Sequence, residues 1–130
     1  MPHALGDILF DIVLPGADRA RLAAFSKATE DPNPIHVDED FAKAAGFPTV
    51  LQQGPMTTAH FARLLAAKVG QANLKWLDVT FMAPVYPDEA LKLTAVVNGV
   101  EERGKTVTCT LTATNPDGVL TAKAEAGFRV

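Results

Sequence analysis

The chain has 130 residues, 48% of them hydrophobic and 21% charged, a composition that fits one folded domain over 1–130 and excludes disorder as the main state. Twelve Lys and Arg against 15 Asp and Glu leave a formal net charge of −3, which gives no basic footprint for phosphate contacts and sets nucleic acid aside as a partner. The single cysteine, Cys109, excludes an internal disulfide and a thiolate zinc cluster and points to the reducing cytoplasm.

Residues 1–7 show no basic stretch followed by an apolar one, so no secretory signal is expected there. Residues 44–62 lack Asp, Glu, Lys and Arg, but Gly46, Pro48, Gly54 and Pro55 break them up, and no membrane span is expected. Ile8 to Leu14 is an apolar run closed by Pro15-Gly16, which predicts a first strand and a turn. Asp18 then caps a predicted helix reaching about Thr29, with Leu22 and Phe25 on one face. Asp38 is a second N-cap, with Glu39 and Asp40 in the turn where the helix dipole favours acids, and Gly46 and Pro48 end that short helix.

Between these helices lies Glu30-Asp31-Pro32-Asn33-Pro34-Ile35-His36-Val37, which its two prolines are expected to hold extended. Pro55 and Gly70 bracket a third predicted helix, Pro55 to Val69, apolar around much of its circumference and expected to be buried. From Leu74 the apolar period changes to two, predicting strands over Lys75–Met82, Leu91–Asn98, Thr106–Ala113 and Leu120–Val130. Glu102-Arg103-Gly104-Lys105 and Asn115-Pro116-Asp117-Gly118 read as turns that join the last three strands into a meander. The fold class is therefore α+β: a curled antiparallel sheet of about five strands around the one long apolar helix.

Two places concentrate chemistry. Asp31 and His36 stand five apart on the proline-stiffened loop, where an acid and an imidazole can face one water and exchange protons with it. The same residues also read as an ordinary Asx turn ending a helix, and spacing does not separate the two readings. Gln52-Gln53-Gly54-Pro55 opens the apolar helix, whose first N–H groups can bind an anion or a polarised carbonyl; a Gly-Pro helix start without a ligand is the simpler reading of the residues alone. His60 on the third helix could reach a pocket, beside its plain packing reading. Cys109 lies at an inward strand position and reads as a small core residue.

Ala28-Thr29-Glu30-Asp31-Pro32-Asn33-Pro34-Ile35-His36-Val37-Asp38, with Ala45-Gly46-Phe47-Pro48, Gly54 and the connector Phe81 to Asp88, resembles the hydratase signature of the MaoC-like family. That family includes (R)-specific enoyl-CoA hydratases and 3-hydroxyacyl thioester dehydratases. The resemblance implies a hotdog fold, assembly as a homodimer or heterodimer of hotdog subunits, and an acyl thioester of CoA or acyl carrier protein as substrate, with no metal or redox cofactor. It implies Asp31 and His36 as the catalytic dyad and substrate binding by the Gly54 N–H and by Gln53. Trp76 and Tyr86 could line an acyl tunnel or a dimer surface, and Arg63, Lys68 and Lys75 could meet phosphates or an acidic carrier, beside their plain packing or surface readings. Where the family usually has Ala-His-Gly-Met-Leu, this chain has Gln52-Gln53-Gly54-Pro55-Met56, so Gln53 stands for the usual His and Pro55 for the usual Met. The alternatives are a noncatalytic, pocket-shaping subunit of a heteromeric hydratase and a hotdog thioesterase. The latter commonly carries an acid on the central helix, and residues 56–69 contain no Asp or Glu.

Overall fold

The computed structural model describes residues 3–130. Met1 and Pro2, which open the expected 1–130 domain and the segment read for a secretory signal, lie outside the described residues. Strand β1 (Ile8–Leu14) is followed by helices α1 (Arg19–Ala28), α2 (Glu39–Ala44) and α3 (Gly54–Val69), and then by β2 (Leu74–Phe81), β3 (Leu91–Glu101), β4 (Thr106–Thr114) and β5 (Leu120–Arg129). The strands form one antiparallel sheet in the order β1-β3-β4-β5-β2, with the expected meander β3-β4-β5 at its centre.

Period-two patterning sets the sheet's inner face. Leu93, Ala95 and Val97 of β3 lie opposite Ala113, Leu111 and Cys109 of β4, which lie opposite Ala122, Ala124 and Ala126 of β5. All are buried, together with Phe61 and Leu65 of α3. The alanines of β5 have little volume above the sheet, and the large side chains of α3 belong to the same packed cluster. A second cluster, Ala17, Leu22, Ala42, Val50 and Met56, joins α1 and α2 to the start of α3.

Both predicted caps are present: Asp18 accepts from the Arg21 N–H at 2.8 Å and Asp38 from the Phe41 N–H at 3.1 Å. Two expectations need correction. Residues 34–36 are not extended but form one 3₁₀ turn, in which Pro34 occupies a first-turn position where no N–H is needed and Asn33 accepts from the Ile35 N–H at 3.1 Å. The third helix is not buried all round. Met56, Thr57, Phe61 and Leu65 are covered, whereas Ala59, Arg63 and Ala67 face outward, because one sheet face and the α1 side cover only part of its circumference.

Candidate active site

The site begins with the way α1 ends. The Glu30 N–H donates to the Lys27 carbonyl and the Asp31 N–H to the Ser26 carbonyl, at 3.3 and 2.9 Å. These are the paired bonds of a Schellman motif, with Glu30 in the left-handed region at φ 55° where glycine is usual. This closure fixes the backbone of Asp31. One of its carboxylate oxygens then accepts the Asn33 N–H at 3.1 Å, and the other lies 3.5 Å from His36 Nε2.

His36 is held from its far side. Its Nδ1 is 2.8 Å from the Leu51 carbonyl oxygen, and the Leu51 N–H returns a bond of 3.1 Å to the Ile35 carbonyl. A carbonyl can only accept, so Nδ1 carries a proton, and in the tautomer with no proton on Nε2 a lone pair faces Asp31. Two acceptors facing each other at this distance are suited to a water that donates to both. The His36 side chain is 13% exposed and that of Asp31 31%, so the pair is sheltered yet reachable.

The segment that holds His36 runs directly into α3. Gly54, at the first helical position, has an N–H with no acceptor inside the helix. A Cβ added there would stand 2.8 Å from the Phe81 ring, so glycine permits the close approach of that ring. Leu51, Gln53, Gly54 and Thr57 line one side of a cleft of about 420 Å³, and Phe81, Met82, Val85 and Ala122 are among the residues of the other. Asp31 and His36 do not line it; they adjoin it through Leu51.

Gln53 is placed differently from a simple substrate contact. Its side chain is fully buried, and Nε2 donates to the Leu22 carbonyl and to Ser26 Oγ, both at 2.7 Å. The structure therefore brings together Asp31, His36, Gln53 and Gly54, but turns the Gln53 amide nitrogen toward α1. Trp76 and Tyr86 are not in the cleft lining, which instead uses Phe81 and Met82. The Leu51 carbonyl had no signal in the sequence, since every residue carries a backbone acceptor.

The surroundings are tied by charge-assisted bonds. Thr49 donates to Glu39 at 2.7 Å and accepts from Arg19 at 2.8 Å, and the Thr49 bond, with Arg19 nearby, holds the Glu39 carboxyl below its ordinary range. His60 borders a separate groove with Arg21 and Arg63; burial and then these two cations push its pKa down. Burial raises the Cys109 thiol to about 11, which makes it a core residue and not a nucleophile. Among the described residues no cluster of His, Cys, Asp and Glu could hold a metal ion, and no helix is long and apolar enough to cross a membrane.

Comparison with known proteins shows what the chain as a whole is similar to. Residues 12–117 match the family model for the MaoC like domain. The chain is 27% identical over 109 residues to the (R)-specific enoyl-CoA hydratase of Aeromonas caviae, covering 82% of this chain and 81% of that protein. It spans only 12%, 38% and 60% of three other curated relatives. The solved (R)-hydratase from A. caviae superposes with a TM-score of 0.85 at 23% identity, over 98% of this chain and 97% of that one. A chain of the ChsH1-ChsH2 complex from Mycobacterium tuberculosis does so with a TM-score of 0.86 at 20% identity, covering 98% of each chain. These likenesses establish the hotdog fold, and with the family match over residues 12–117 the chain belongs to the MaoC-like domain family.

Proposed function

We propose that the chain is a hydro-lyase that interconverts trans-2-enoyl and (R)-3-hydroxyacyl thioesters carried on CoA or acyl carrier protein. The observation that carries this reading is that the Leu51–Gly54 segment both holds His36 against Asp31 and supplies the free Gly54 N–H, so the water-activating pair and a carbonyl-binding donor share one frame.

In the hydration direction, a water donating to His36 Nε2 and the Asp31 carboxylate is oriented for attack. Its oxygen bonds to C3 as one proton passes to the dyad, and the dyad returns one proton to C2. The sum is H and OH added across the double bond with no further reactant. As C2 gains enolate character, charge moves onto the thioester oxygen, which the Gly54 N–H stabilises together with the positive end of α3. Dehydration reverses each step. The thioester itself polarises the double bond, so the proposal uses no metal or redox cofactor.

The apolar cleft walled by Phe81, Met82 and Val85 suits the acyl chain. The outward face of α3 and the edge strand β2, with Phe81 54% exposed, support assembly with a second hotdog domain, either a copy of this chain or a related subunit. The heteromeric reading is favoured specifically by the likeness to a chain of the ChsH1-ChsH2 complex. In either assembly this chain carries both members of the dyad. The reducing cytoplasm is the proposed compartment.

The test is loss of absorbance of the conjugated thioester on mixing purified protein with enoyl-CoA and enoyl-carrier substrates across chain lengths. Turnover supports the assignment. No turnover of any substrate, alone or with candidate hotdog partners, refutes it.

A further inference from the structure

The side chain of Gln53 is large, polar and wholly buried, yet it leaves its own acceptor unused: Oε1 has no hydrogen-bond partner among the described residues. A buried polar group lacking one of its bonds is a standing cost, and a hydrophobic residue of the same shape would avoid it. The two bonds it does make are informative. Nε2 donates to the Leu22 carbonyl and to Ser26 Oγ, one turn apart on α1. The carbonyl of that same Ser26 accepts the Asp31 N–H. One amide group thus links the residue preceding Gly54 to the residue that closes α1 and sets Asp31.

Two residues earlier, Leu51 does the corresponding work for His36. The Leu51–Gly54 segment is therefore a common reference for three groups: His36 through the Leu51 carbonyl, Asp31 through Gln53 and Ser26, and the Gly54 N–H directly.

We propose that Gln53 is a positioning residue that registers Asp31 against Gly54 through Ser26, and that it does not bind substrate. Its consequence for turnover rests on the hydratase reading; the clamp itself does not. Glutamine suits the task because it offers two donors at every ordinary pH. A carboxylate in its place would face the Leu22 carbonyl and be repelled.

The test uses Gln53→Met, which keeps the shape and removes the amide, Gln53→Glu, Ser26→Ala and the Ser26→Ala/Gln53→Met pair. In Gln53→Met, kcat should fall about ten-fold or more with KM changed less than about two-fold. Amide exchange at Asp31 should accelerate about ten-fold, while exchange at Leu111 in the centre of the sheet stays as in the wild type, which separates loss of the clamp from general loosening. The double variant should be no worse than the more impaired single, since both substitutions cut one linkage. Gln53→Glu should gain a limb in its pH profile, with kcat falling as pH rises and the buried carboxyl ionises.

A raised KM with kcat intact in Gln53→Met would mean that Gln53 touches substrate, and would overturn the proposal. So would unchanged Asp31 exchange. If the wild type turned over no thioester, the hydratase reading would fail separately, and Asp31 exchange in the variants would still decide whether the clamp exists.

Discussion

His36 Nε2 lies 3.5 Å from the Asp31 carboxylate, while the ring's other nitrogen gives its proton to the Leu51 carbonyl 2.8 Å away. The second contact fixes the orientation of the ring, so that Nε2 is the nitrogen that exchanges a proton beside the acid. Asp31→Asn and His36→Ala should each lower kcat by roughly 10²–10⁴-fold. Circular dichroism should be unchanged. His36→Ala also strands the Leu51 carbonyl and should cost about 1 kcal/mol in urea denaturation. Near-normal rates in either variant would refute the site.

Gly54 permits a paired experiment. Gly54→Ala keeps the N–H but adds a Cβ that must displace the Phe81 ring, whereas Gly54→Pro adds that Cβ within a larger ring and removes the N–H. Proline is tolerated at this first helical position, and Gln53 already has the extended backbone, φ −64° and ψ 132°, that a following proline requires. The further loss of kcat in the proline variant relative to the alanine one should be about 10²-fold or more. Equal rates in the two would remove the N–H from the mechanism.

His60 predicts a pH effect unrelated to turnover. Its folded-state pKa is lowered by burial and by Arg63 and Arg21, so on acidification the unfolded chain takes up the proton first. Its contribution to stability is complete above the unfolded pKa, near 6.5, and declines as pH falls below it. Urea midpoints measured at pH 5.5 and 7.5 should differ less in His60→Gln than in the wild type. An equal difference in both proteins would contradict the assignment.

Cys109 is fully buried in β4, and its thiol is raised to about 11. A thiol reagent at pH 8 should leave the native chain unmodified over the time in which it labels the urea-unfolded chain completely. Fast labelling of the native chain would show that the centre of the sheet opens.

Much of the fold was legible because local signals agreed with the tertiary ones. β1 and the caps of α1 and α2 follow from apolar runs bounded by Pro, Gly and Asp, and the last strands from alternation of apolar residues with threonine and charge. The two misreadings share a physical cause. Pro34 excludes a helix interior but not the first residue of a 3₁₀ turn, and the apolar surface of α3 exceeds what one sheet face covers. At the site, Asp31, His36 and Gly54 were visible as residue types at a given spacing. What holds them was not. Glu30 takes a left-handed conformation without being glycine, the Leu51 carbonyl has no side-chain identity, and the bonds of Gln53 cross from the residue before α3 to α1.

The groups assigned to the chemistry all come from residues 31–54, while the far wall of the cleft comes from residues 81–85 and 121–122 beyond α3. The proposed chemistry thus sits on one stretch of chain, while the cleft is walled by that stretch and by a second one. Substitutions at Phe81 or Met82 can change which acyl chains enter without disturbing the bonds that orient the dyad. A library confined to the second stretch would explore substrate range on a constant catalytic background.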